Sequence, residues 1–322
     1  MNRVKSIKWA KKAGEMLQTG IHLTKNLVRG PRPTSLAVES TARCNLNCPF
    51  CRYGQTPEYT GKTSHSDILR PIGTLDFDLY KERILPSAVE FGTRMIQLHF
   101  QGDPLLNKRL VDIIILGRTA GMWMQFFTNG LLMTEDLMDQ LIESEVDLVR
   151  FSIDGNSQET YELNRVGGDF DKVIQILGNF AEKARQRDSQ VKIQWSYIVM
   201  RNNEHEVLDA VKHAKELGVE FIPKVLNTTD TSLIPDDPTW HRQFKLKPCT
   251  QIYQMTNILW NGDVVPCCYD VEAWHVLGNI QEATLTEIWN STKYKDFRRG
   301  VALAKEDPGN EPEICKTCPM WK

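Results

Sequence analysis

Long apolar runs are missing from this 322-residue sequence. No stretch approaches the roughly 20 apolar residues that a membrane-spanning helix needs. The first thirty residues lack the apolar centre of a secretory signal, because Lys5, Lys8, Lys11, Lys12 and Lys25 interrupt them. A surplus of one charge is missing too. The formal net charge is −2, so no global field draws the chain to nucleic acid or to an anionic surface. Nor is there a basic, aromatic-interleaved tract of the kind nucleic-acid modules use. Internal repeats and low-complexity tracts are also absent. These absences imply a cytoplasmic chain with no nucleic-acid partner. In that reducing compartment the eight cysteines are not expected to pair as disulfides. Their clustering points to metal instead.

Hydrophobic residues make up 41% and charged residues 25% of the chain, which is ordinary for a folded domain. The length suits one large domain, alone or with a small one. Residues 1–30 read as one amphipathic helix, with Val4, Ile7, Leu17, Ile21 and Val28 on a stripe and lysines opposite. Such a helix packs on the outside of the protein, or serves as a peripheral membrane or partner contact. Gly30-Pro31-Arg32-Pro33 breaks it.

Strand and helix patterns then alternate. Strands are expected at 36–41, 95–100, 123–128, 148–153, 192–199 and 219–225, and helices at 76–91, 107–120, 134–144, 170–187 and 204–217. This alternation argues for a parallel α/β sheet with right-handed crossovers. Six such strands can form an open partial barrel, whose site lies at the C-terminal strand ends. Residues 52–74 read as a long loop and 227–248 as a linker. The expected division is an extension over 1–33, a barrel over 34–235 and a small C-terminal domain over 236–322.

Cys44, Cys48 and Cys51 fall within eight residues, directly after the first expected strand. Three thiolates can hold three irons of a four-iron cluster and leave the fourth iron open. Zinc prefers four closed ligands, so a zinc knuckle would have to borrow a distant one.

Cys44-Asn45-Leu46-Asn47-Cys48-Pro49-Phe50-Cys51 resembles the C-x3-C-x-aromatic-C signature of the radical S-adenosylmethionine (SAM) superfamily. The resemblance runs from about Ser35 to the C-terminus. It implies a partial (β/α)6 barrel in which SAM chelates the open iron. Reductive cleavage of SAM then yields a 5′-deoxyadenosyl radical that abstracts a substrate hydrogen atom. Phe50 matches the aromatic residue near the adenine. Gln101-Gly102-Asp103-Pro104 is similar to the family's Gly-Gly-Glu-Pro motif, with glutamine and aspartate as departures. The resemblance thus assigns Gly102, Asp103 and Pro104 to SAM. Asn129 follows the third strand, and Ser152 and Asp154 end the fourth; all three are implied SAM contacts. Arg165 resembles an arginine that pairs with the SAM carboxylate, a task that suits a bidentate guanidinium.

Cys249, Cys267, Cys315 and Cys318 form a second group. Asn261-Gly262 is a strong hairpin signal between Cys249 and Cys267. Four thiolates on a hairpin and a terminal turn suit zinc and iron–sulfur equally. Here the chain resembles a SPASM or Twitch auxiliary-cluster domain, a likeness shared by Gly278-Asn279-Ile280 and by Leu285 with Ile288-Trp289-Asn290. The resemblance implies one fully ligated auxiliary [4Fe-4S] cluster, as in Twitch, acting in electron transfer. The implied cofactors are therefore SAM and two [4Fe-4S] clusters, with a reductant such as flavodoxin or ferredoxin. Cys268 is left over. It reads as a hydrogen-atom donor or, more plainly, as a small buried residue beside a ligand.

Strand alternation places Gln97, His99 and Gln101 on one face, and Arg150, Ser152 and Asp154 on another such face. Glu39, Gln125, Gln194 and Ser196 join them. This polar face should line the lumen, either for a polar substrate or as a self-satisfied network around SAM. His99 is the candidate catalytic residue there. The expected activity is oxidation, dehydrogenation or other modification of a polar small molecule. Peptide maturation and epimerisation are the alternatives within the chemistry, and a non-catalytic zinc-binding module is the alternative outside it.

Overall fold

The computed structural model describes residues 32–51, 70–227, 230–241, 249–304, 309 and 311–319. The amphipathic segment 1–30 and most of the 52–74 loop lie outside these residues. So do 228–229 and 242–248 of the expected linker, whose described parts hold two 3-10 turns, Thr231–Leu233 and Pro238–Trp240.

Six parallel strands form the frame: β1 (Ser35–Val38), β2 (Met95–Gln97), β3 (Trp123–Thr128), β4 (Leu148–Ser152), β5 (Lys192–Val199) and β6 (Glu220–Val225). They lie side by side in sequence order, from β1 to β6. Helices Leu110–Thr119, Glu135–Glu143, Phe170–Gln186 and Val207–Glu216 fill the crossovers. This is the partial (β/α)6 barrel expected from the alternation. Ile96, Leu98, Met124, Phe126, Val149, Phe151, Trp195 and Tyr197 are almost wholly buried under the helices. Local chemistry sets the helix starts. Thr134, Ser157 and Asp169 each accept a hydrogen bond from a first-turn backbone N–H.

Three details differ from the sequence expectation. The first helix is interrupted by a π turn over Tyr80–Ile84, between Phe77–Leu79 and Leu85–Phe91. A short helix, Gln158–Asn164, was not expected; Ser157 caps it and Thr160, Tyr161 and Asn164 form its buried side. β1 and β2 also stop before Thr41 and Phe100. Residues expected at the end of β1 leave the sheet for cross-loop bonds: Thr41 Oγ1 donates to Gly73 O, and Ser40 Oγ donates to Leu98 O.

The C-terminal region continues the same sheet. β7 (Met255–Ile258) pairs parallel with β1, and the antiparallel strands β8 (Asp263–Val265) and β9 (Gly278–Asn279) follow. The Asn261-Gly262 turn is present, with Gly262 at φ +90°. Helix Leu285–Asn290 starts with a full capping box between Thr284 and Glu287. Among the described residues, no helix is long and apolar enough to cross a membrane.

Candidate active site

The loop leaving β1 is held from three sides. Asp103 N donates to Arg43 O at 2.7 Å, Asn47 N to Val166 O at 2.9 Å and Cys51 N to Cys48 O at 3.0 Å. Cys44, Cys48 and Cys51 consequently line one cavity of about 160 Å³ at the C-terminal strand ends. His99, Gly102, Asp103, Asn129, Ser152 and Arg165 line it with them. Burial pushes the Cys44 thiol well up, and the Asp103 carboxylate adds to the shift. Cys48 is pushed up to about 11, again chiefly by burial, with Arg165 opposing. Buried thiolates are costly without compensating positive charge. The donor set therefore fits a cationic iron core.

Gly102 brings the next loop against the cysteine loop. It sits at φ +71°, and a Cβ there would lie 2.4 Å from Thr41 O. Asp103 is fully used inside the protein. Its carboxylate accepts from Leu105 N, from Thr128 Oγ1 at 2.8 Å and from Asn129 N at 2.7 Å. Asp103 thus ties the end of β2 to the end of β3. Asn129 Nδ2 donates to Asn45 Oδ1 at 2.8 Å, within the cysteine loop. Pro104, itself buried, opens a 3-10 turn and does not line the cavity.

Arg165 lies over the three-cysteine loop. Nη1 donates to Cys48 Sγ at 3.7 Å, and the guanidinium sits 5.3 Å from the Phe50 ring centre. Asp154 holds it in place. One carboxylate oxygen of Asp154 accepts from Arg165 Nε at 2.7 Å, and the other from Ile198 N at 2.6 Å. Burial alone would lower Arg165, but Asp154, with Cys48 and Tyr161, more than reverses this and holds the guanidinium charged. Asp154 does not line the cavity. Asp154 was expected to contact SAM directly; in the structure its oxygens are spent on Arg165 and Ile198.

The second cysteine group also converges. Cys249, Cys267, Cys315 and Cys318 line a small cavity walled by Ile252, Phe297, Val301 and Ile314. Burial raises Cys249 and Cys267 and pushes Cys315 up to about 12. Among the described residues, no three His, Cys, Asp or Glu side chains converge tightly enough for a single metal ion. Each group of thiols lines its own cavity, a donor set that can hold a multi-iron cluster.

Cys268 is exposed, which corrects the expectation of a small buried residue. The turn in which Asp270 N bonds Cys267 O sends Cys267 inward and its neighbour outward. Cys268 is not among the residues lining any of the cavities described here.

A larger cavity of about 740 Å³ lies between the two cysteine groups. Phe50, Cys51 and Gly102 form one end, and Tyr269 and Thr317 the other. Tyr269 also lines the four-cysteine cavity, and its hydroxyl donates to Thr317 O at 3.0 Å. The remaining wall, from Asp270 to Glu272, is anchored at Arg70. Arg70 Nε donates to Val271 O at 2.6 Å, while its two Nη atoms grip the Glu39 carboxylate at 2.6 and 2.8 Å. Sequence patterning did not single out Tyr269, Glu272 and Trp274 as wall residues or Arg70 as their anchor, because only tertiary placement gives them these roles.

The polar lumen is partly self-satisfied. Gln125 donates to Gln97, and Arg150 to Gln194. His99 lines the three-cysteine cavity and stacks on Phe127 with ring centres 3.7 Å apart. Burial pushes its pKa down to about 3, and Arg150 and Lys224 add to the shift. Its ring is therefore neutral.

Comparison with known proteins agrees with this geometry. The family model of the radical SAM superfamily matches residues 38–214, and that of an iron–sulfur cluster-binding domain, SPASM, matches residues 249–319. The chain is 23% identical over 312 residues to a tungsten-containing aldehyde ferredoxin oxidoreductase cofactor-modifying protein of Pyrococcus furiosus, covering 82% of each chain. It is 23% identical over 327 residues to a PqqA peptide cyclase of Gluconobacter oxydans, covering 89% of this chain and 82% of that one. Among solved structures it is similar to Streptococcus suis SuiB bound to precursor peptide SuiA, with TM-score 0.63 and 14% identity, over 100% of this chain and 76% of SuiB. At that identity the likeness shows a shared fold.

Proposed function

The chain belongs to the radical SAM superfamily, with SAM and two [4Fe-4S] clusters as its cofactors, and from that premise we propose that it carries out an oxidative modification of a peptide. The observation that carries this reading is the cavity of about 740 Å³ joining the two cysteine sites. It is within the size range of pockets that bury a drug-sized ligand, and it can take a short peptide segment. Its lining mixes Phe50, Phe100 and Trp274 with Gln101, Asn227 and Glu272, as contact with side chain and backbone together requires. Relatives and fold neighbours that act on or bind peptides support the reading.

In this proposal residues 34–235 form the barrel and 236–322 the auxiliary-cluster domain. Cys44, Cys48 and Cys51 hold one cluster, and Cys249, Cys267, Cys315 and Cys318 hold the other. When bound, SAM and the reduced cluster supply a 5′-deoxyadenosyl radical able to take a hydrogen atom from an unactivated C–H bond. The residues around them bind and orient. Arg165 offers its charge to the SAM carboxylate, and Asp154 keeps it aimed. Asp103 locks the β2 and β3 ends together, so Gly102 and Asn129 face SAM with little freedom. Phe50 supplies a flat surface beside the adenine. Tyr269 separates the substrate cavity from the four-cysteine site while keeping the two adjacent, which suits removal of a second electron from the substrate. A low-potential flavodoxin or ferredoxin serves as reductant.

The test uses anaerobically reconstituted enzyme with dithionite, SAM and a library of short peptides. Formation of 5′-deoxyadenosine should rise with particular peptides, and those peptides should lose two hydrogens by mass. Stimulation by polar small molecules alone, with every peptide inert, would overturn the peptide reading.

A further inference from the structure

The lumen carries a charge imbalance that the cofactor site does not use. Register pairs Phe127 with Arg150, Arg150 with Gln194, Gln194 with Glu220 and Ile198 with Lys224. These side chains therefore share the face of the sheet that looks into the barrel. The two fully buried acids there already have partners. Glu39 is paired with Arg70 and Asp154 with Arg165, each at 2.6 Å. On β4 to β6 this leaves three cations, Arg150, Lys192 and Lys224, and one carboxylate, Glu220; Lys192, exposed at the start of β5, lies over Trp123.

Glu220 is bonded to Gln194 rather than to either cation. Its Oε2 accepts from Gln194 Nε2 at 2.6 Å, and Gln194 Oε1 accepts from Arg150 Nε at 2.7 Å. The amide thus stands between the two charges. Arg150 lies flat over Phe127, 4.2 Å from the ring centre. That packing fixes the guanidinium plane while its two Nη groups have no hydrogen bond among the described residues. Lys224 has neither hydrogen bond nor ion pair among the described residues. Both side chains are half-buried. Burial first, and then Arg150, holds Lys224 below the ordinary lysine range. Burial also lowers Arg150, with Glu220 opposing. A fixed, partly dry guanidinium and an unpaired ammonium on the same lumen face are unfavourable until an anion enters. The site is reachable, because β6 is the edge strand of the sheet. It adjoins both cavities: Ile198, beside Lys224, lines the larger, and Phe127, beneath Arg150, lines the three-cysteine one.

We propose that Arg150 and Lys224 form an anion site for a carboxylate on the substrate, so that the modified peptide segment carries an acidic side chain seated on β4 and β6. This deepens the peptide reading and rests on it. The guanidinium fork takes the carboxylate through its free Nη edge, and the ammonium takes the second oxygen. His99, whose Nδ1 is buried and has no hydrogen bond, stacks on the far face of the same Phe127 platform.

Two measurements separate this inference from the reading beneath it. In the first, glutarate and its neutral analogue glutaramide are titrated into the reconstituted enzyme by calorimetry. Glutarate should bind and glutaramide should not. Binding should weaken with salt and fall about tenfold or more in Lys224→Met and in Arg150→Met, as loss of a charged hydrogen bond predicts. Lys224→Met, on an edge strand, keeps the test valid if Arg150→Met fails to fold. Equal binding of the two compounds, or unchanged glutarate binding in Lys224→Met, would overturn the anion site even if peptides are substrates. In the second, peptides that stimulate 5′-deoxyadenosine formation are compared as glutamate and glutamine versions. The glutamate version should have a KM about tenfold lower in the wild type, and Lys224→Met should erase that difference. No preference in the wild type would remove the acidic-substrate assignment, whereas inert peptides with intact glutarate binding would remove only the peptide reading.

Discussion

Gly102 shows how much a single residue holds. At φ +71° an added Cβ would meet the Thr41 and Arg43 carbonyl oxygens at 2.4 and 2.5 Å. Those atoms are main chain just before Cys44, so they cannot swing aside as a side chain could. Gly102→Ala should cost ~1–2 kcal/mol for the left-handed backbone alone, and more for the clash. SAM binding by equilibrium dialysis should be lost with it. Gly92 is the control: it sits at φ +86° with nothing within 4 Å of an added Cβ. Gly92→Ala should cost only the backbone part and leave SAM binding intact. Denaturant unfolding of the two variants side by side checks the difference. At this scale the motif residues were legible, since a thiol or a glycine has chemistry that few others share. Their partners were less so. Asp103 and Asp154 stood out as motif positions, yet their carboxylates serve Thr128, Asn129, Ile198 and Arg165. Nothing in a one-dimensional pattern tells a ligand-facing carboxylate from one that orients its neighbours.

Between elements, the main junction is the Arg70 clasp. Arg70 and Glu39 are 7% and 0% exposed, and Arg70 also holds Val271 O. It joins the end of β1 to the wall of the large cavity. Arg70→Met should destabilise the protein by ~3–5 kcal/mol, because it leaves Glu39 buried and unpaired. Adding Glu39→Met should recover much of that loss, since a buried pair is replaced by apolar volume. Backbone amides from 270 to 275 should exchange hydrogen faster in both variants, as neither restores the bond to Val271. Mass-resolved exchange would report this. Strands β3 to β6 follow the periodicity of the sequence to within a residue or two. The parallel union of β7 with β1 does not. Both strands are short, and no local pattern specifies which edge a hairpin joins.

Across the whole molecule, the two cysteine groups line two separate cavities with a larger cavity between them. Anaerobically purified enzyme should contain about eight irons and matching sulfide per chain, as two cubane clusters require. Cys44→Ala and Cys249→Ala should each reduce this to about four, with the first abolishing SAM cleavage. Iron, zinc and sulfide analysis of the three proteins decides it. Zinc without sulfide would restore the zinc-binding alternative.

The sequence alone determined the fold class and, through the family resemblance that its motifs carry rather than through spacing, the cofactor chemistry. Hydrophobic periodicity reports which face of each strand and helix is buried, and thiol spacing reports what a loop can ligate. Both are local properties, readable one segment at a time. Tertiary structure alone decided that the auxiliary hairpin extends the barrel sheet and that Arg70 pins the cavity wall. It likewise decided that Asp154 serves Arg165 and that Arg150 and Lys224 share a lumen face whose one remaining carboxylate, Glu220, bonds Gln194 instead. Each of these depends on which distant residues meet, and that is set by packing the whole sheet at once rather than by any stretch of the chain.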